Sequence, residues 1–116
     1  MNDRLLIITR IKKTIECVNK NLENYPKKYI ELKKNILDSL FSLLEYCYLA
    51  NNSFKSNENM CYALAKISII DYYLKLSYKN DLISKRRYEM LSRHLLEIHK
   101  MIYSWKLSNE KKKEFI

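Results

Sequence analysis

The sequence predicts an all-α fold, an up-down-up-down four-helix bundle. Three observations carry this. The chain contains no glycine and a single proline, Pro26, so the positive-φ turns that strand-rich folds need have no ready residue. Four stretches show apolar residues at alternating spacings of three and four, the period of one helix face. The 116 residues suit one domain, with a core large enough to need neither disulfide nor metal. The expected domain covers residues 1–108, with helices over about 3–23, 28–50, 58–78 and 84–106 and a flexible tail at 109–116.

In the first helix Ile8, Ile11, Ile15, Val18 and Leu22 form the stripe, and Asn2 or Asp3 can cap its start. Pro26 disfavours helical geometry at Tyr25 and so ends this helix. Its own place is then the first turn of the second helix, where the missing N–H costs nothing. The second helix carries Tyr29, Leu32, Ile36, Leu43, Cys47 and Ala50 on one line, but Leu37, Leu40, Phe41, Leu44, Tyr46, Tyr48 and Leu49 surround them. A helix apolar most of the way round must be covered on several sides, and another subunit is expected to supply part of that cover. Residues 51–59 are polar and read as a loop, with Ser53 or Ser56 as cap for the third helix.

Met60, Ala63, Ile67, Ile70, Leu74 and Ser77 make the core line of the third helix, widened by Tyr62, Leu64, Ile69, Tyr72 and Tyr73. A turn at Lys79-Asn80-Asp81 leads to Leu82, Ile83 and a capping Ser84. In the fourth helix Tyr88, Leu91, Leu95, Ile98, Ile102 and Trp105 face inward, while Arg86, Arg93 and Lys100 recur every seven residues on the opposite line.

The net charge of +9 is uneven: +5 over residues 1–34, −1 over 35–83, +4 over 84–106 and +1 over 107–116. Basic flanks around a neutral middle point to a polyanionic partner, most simply nucleic acid. Lys13 and Lys20 occupy the outer line of the first helix, and a second cluster, Lys27, Lys28, Lys33 and Lys34, opens the second. Arg86 and Arg87 add forked donors suited to phosphate. The expected nucleic-acid contacts are therefore Lys13, Lys20, Lys27, Lys28, Lys33, Lys34, Arg86, Arg87, Arg93 and Lys100. Such contacts fix backbone phosphates and carry no sequence information.

Catalytic and cofactor chemistry finds little support. Cys17, Cys47 and Cys61 lack CxxC spacing and read as reduced, buried thiols of a cytoplasmic protein. The apolar run Leu5–Ile8 is too short for a secretion signal, and no run is long enough to span a membrane. His94 and His99, five apart, lie about 140° apart on a helix and cannot share a metal as i, i+4 pairs do. No metal, no other cofactor and no enzymatic activity is expected. One alternative has a mechanism: Arg93-His94 followed by His99 reads R-H-x4-H and resembles the signature of HEPN ribonucleases, where arginine and histidine of two subunits meet on RNA. Arg93 and His99 would be its catalytic pair.

A wider resemblance covers residues 22–108. Tyr25-Pro26-Lys27, an apolar helix ending Ala50-Asn51, then Leu82-Ile83-Ser84, Tyr88-Glu89, Leu95-Leu96-Glu97-Ile98 and Trp105-Lys106 follow one another in order. This pattern resembles the accessory variability determinant proteins of diversity-generating retroelements, and the wider group of four-helix-bundle proteins encoded in ribosomal RNA intervening sequences. The resemblance implies a homopentameric barrel with a basic surface and no catalysis of its own. It also implies a reverse transcriptase and RNA or cDNA as partners during mutagenic retrohoming. Family members usually carry glycines where this chain has His99 and Tyr103-Ser104.

Overall fold

The computed structural model describes residues 3–52 and 54–114. They form α1 (Asp3–Leu22), a 3₁₀ turn (Lys27–Tyr29), α2 (Ile30–Asn52), α3 (Ser56–Lys79) and α4 (Lys85–Glu114), with no strand among the described residues. The body measures 53 × 23 × 22 Å. α1 packs on α2 and α4, and α3 packs on the same two, most closely on α2. No diagonal pair touches, so the four helices occupy the corners of a square in up-down-up-down order. None of the described helices is long and apolar enough to cross a membrane.

The predicted stripes meet in one core. All six expected α3 residues, Met60 to Ser77, are buried, as are Leu91, Leu95, Ile98 and Ile102 of α4. In α1, Ile15 is only half-buried; Ile7 and Thr14 take the inner positions instead. Thr14 is tolerated there because its hydroxyl donates to the Arg10 carbonyl at 2.9 Å. Ser77 uses the same device on the Tyr73 carbonyl at 3.0 Å. In α2 the inner line is Ile36, Ser39, Leu40, Leu43, Cys47 and Ala50, whereas Tyr29 and Leu32 are half-buried. Burial pushes the Cys47 thiol up to about 12. Cys61, by contrast, is exposed and Cys17 half-buried, so the expectation of three buried thiols holds for Cys47 alone.

Several helix ends differ from the expected ones, each for a local reason. Pro26 does not enter the second helix. It is extended (φ −60°, ψ 154°) and precedes the 3₁₀ turn, its carbonyl accepting the Tyr29 N–H at 2.9 Å. The expected 51–59 loop is much shorter, since α2 runs to Asn52 and α3 begins at Ser56. Asparagine side chains there fold back onto their own helices: Asn52 donates to the Tyr48 carbonyl at 3.0 Å and Asn59 to that of Lys55 at 3.1 Å. Lys55 holds the N-cap position of α3, and Ser56 is already helical. Expected caps at Asn2 and Ser53 lie outside the described residues.

α4 also continues past residue 106 as helix to Glu114, where the sequence pattern predicts a tail from 109. Asn109 extends the inward line of α4 and donates to Ser56 Oγ and Asn57 Oδ1 at the start of α3, both at 3.2 Å. Lys106 pairs with Glu110 at 2.9 Å, which raises the lysine's pKa.

The α3–α4 reversal is made without glycine. Leu82 N–H donates to the Ser77 carbonyl at 2.9 Å and Asp81 N–H to that of Tyr78 at 3.0 Å, the two bonds of a Schellman motif. Its left-handed position falls on Asp81, at φ 61°. Ile83, next in line, is buried, and Ser84 caps α4 as its residue type predicts, accepting the Arg87 N–H at 3.1 Å.

Asp81→Gly relieves the left-handed strain. It is expected to raise unfolding free energy by about 0.5 kcal/mol, after the larger chain entropy of glycine is subtracted. Urea denaturation measures it; a loss of stability would show that the Asp81 side chain supports the turn.

Candidate nucleic-acid interface

The square packing decides which basic residues meet. α4 is tied to α3 on one flank. The Tyr88 hydroxyl donates to both Asp71 carboxylate oxygens (3.3 and 3.4 Å), and Ser92 Oγ donates to Asp71 Oδ1 at 2.9 Å. Desolvation, then the Asp71 charge, raises the Tyr88 pKa, while the Ser92 hydroxyl offsets a part. The Tyr88 ring also stacks on Tyr78 at 5.8 Å. With that flank held by α3, the opposite flank of α4 turns to α1 and solvent.

There a groove opens. Arg10 of α1 lines it together with Arg86, Arg87 and Arg93 of α4, and Ser84, Met90, His94, Leu96 and Glu97 complete the lining. On the other flank of α1, Lys12 Nζ stands 5.6 Å from the centre of the Tyr48 ring on α2. Glu97 is the sole acid of the lining, and its nearest cation is Lys100 at 4.0 Å, an exposed pair of little energetic weight. Neither the Lys100–Glu97 pair nor the Lys106–Glu110 pair involves a groove arginine.

Of the ten residues predicted to contact nucleic acid, the groove gathers Arg86, Arg87 and Arg93. Lys13, Lys20 and Lys100 are exposed on the outer lines of α1 and α4 without lining it. Lys27, Lys28 and Lys34 are exposed and Lys33 half-buried at the start of α2, the corner diagonal to α4. They crown the end of the bundle where the Tyr29 hydroxyl reaches Asn80 Oδ1 at 3.5 Å and Lys28 Nζ lies 5.1 Å from the Tyr29 ring centre.

Arg10 is the residue that sequence reasoning missed. The signal was present in residue type. The chain has 17 lysines and only 5 arginines, yet among the described residues 4 of those arginines line this one groove and no lysine does.

The R-H-x4-H residues part company. Arg93 and His94 line the groove, whereas His99 is absent from its lining and stacks on Tyr103 with ring centres 6.3 Å apart. Among the described residues no group of three His, Cys, Asp or Glu side chains could hold a metal ion.

No family model matches the chain. No curated protein matches it either. A solved structure does: a protein of unknown function from the S23 ribosomal protein family of Bacteroides thetaiotaomicron VPI-5482. It superposes with a TM-score of 0.80 at 21% sequence identity, over 90% of this chain and 98% of that one. The two share the fold.

Asp71→Ala removes the acceptor of two hydroxyls on α4. It is expected to destabilise the protein by about 1–3 kcal/mol, and Tyr88→Phe by roughly 0.5–1.5 kcal/mol. Urea unfolding of both variants and the double variant measures this, and strictly additive losses would show that the three groups do not act as a unit.

Proposed function

We propose that this chain is a non-catalytic, nucleic-acid-binding subunit that holds RNA or its cDNA copy by the phosphate backbone. The observation that supports it best is the concentration of four arginines, opposed by one carboxylate, between α1 and α4. Guanidinium forks match phosphate in a way that ammonium groups do not. The outlying lysines of α1, α2 and α4 extend the positive field along which a long polyanion is drawn in.

The finer reading follows from the sequence resemblance: an accessory protein of a diversity-generating retroelement, acting on RNA together with a reverse transcriptase as a homopentamer. The intervening-sequence branch of the same group is the neighbouring possibility, and the ribosomal-protein name of the structural neighbour leans that way. Self-assembly has support in the surface as well. Phe41 and Leu49 on α2, and Tyr62, Ile69 and Tyr72 on α3, are all exposed. Exposed apolar faces of this kind are characteristic of contacts with another chain.

RNA binding is expected to weaken steeply with salt. Four phosphate contacts on a single strand give a log–log slope near −3, about a 50-fold loss between 50 and 200 mM. Arg10→Glu with Arg93→Glu should lower affinity by more than tenfold, since each reversal adds repulsion where attraction was. Fluorescence anisotropy measures both; salt-independent binding, or none, would sink the proposal.

Light scattering tests the assembly separately. A pentamer has five times the 14.1 kDa chain mass. Phe41→Glu with Tyr72→Glu should reduce it, and a monomeric wild type would refute the pentamer.

A further inference from the structure

We propose that the α1–α4 groove accepts unpaired RNA and stacks its bases, rather than gripping the outside of a duplex. This rests on the nucleic-acid reading above and specifies the class of ligand.

The first ground is residue type. A generic polyanion site would draw on the commonest cation, and lysine outnumbers arginine 17 to 5 in this chain. The lining instead takes four arginines and no lysine. What arginine adds at equal charge is a flat, weakly hydrated guanidinium that stacks on aromatic faces while its edge forks onto phosphate. Unpaired bases offer such faces; a duplex keeps them inside its stack.

The second ground is the apolar part of the lining. Met90 and Leu96 are part of the lining and are 37% and 50% exposed. Apolar side chains in a cationic groove do nothing for a phosphate backbone, but they cover the face of a splayed base.

Bases stacked on aromatic or guanidinium planes add roughly tenfold or more in affinity each, with little regard to sequence. The expected ligand is thus a short unpaired run of no fixed sequence.

The test uses the full chain and three probes at one salt concentration: labelled twelve-nucleotide oligouridylate, a twelve-base-pair RNA duplex, and inorganic polyphosphate as competitor. The single strand should bind at least roughly tenfold tighter than the duplex, and polyphosphate should compete poorly. Changing Arg10, Arg86, Arg87 and Arg93 together to Lys should keep the salt dependence and abolish the preference for single strands. Met90→Ser with Leu96→Ser, at already exposed positions, should weaken the single strand alone. Equal or tighter duplex binding would overturn the inference and leave nucleic-acid binding standing. So would a lysine variant that keeps the preference. Binding to none of the three would overturn the proposed function itself.

Discussion

Four apolar stripes have to be buried at once, and that single requirement sets the rest of this protein. Within one chain each helix meets two neighbours, and the wider apolar residues of α2 and α3 stay exposed. The outcome is a square in which Ile11, Leu43, Ile70 and Leu95 all lose contact with water. Because the stripes fix each helix's rotation, they also fix which residues fall on its flanks. The flanks of α2 and α3 are apolar, and those helices pack most closely. Those of α1 and α4 carry Arg10, Arg87 and His94, and there the seam opens into a groove. The groove is thus the place where the packing was left incomplete.

Most of the fold was legible because apolar periodicity reports burial directly. It failed where a polar residue behaved as a helical one. Asn52 and Asn59 looked like loop residues, but each spends its amide on its own helix, so the helices run through them. Thr14 was invisible as core because nothing in its type announces that its hydroxyl will bond the Arg10 carbonyl. Asn109 looked like the start of a tail because its partners, Ser56 and Asn57, are more than fifty residues away.

The site was legible only in part, for a geometric reason. The sequence marks the most exposed line of each helix, and Lys13, Lys20 and Lys100 do lie out in solvent. The groove, however, joins Arg86 and Arg93 of that line to Arg10 and Arg87, and which flank faces which neighbour depends on packing across the whole bundle. Asp71 illustrates the point. An acid amid apolar residues gives no hint in the sequence that it will hold Tyr88 and Ser92 of another helix.

The absence of lysine from the groove also separates two kinds of charge on this molecule. Most of the positive charge sits on ammonium groups, which acylation can erase. The groove's four positive charges sit on guanidinium groups, which lysine acylation does not touch. Reagents or enzymes that acylate lysine would therefore change the protein's isoelectric point and its long-range field while leaving the groove's own charge intact. The protein's long-range field and the local charge of its groove are chemically independent.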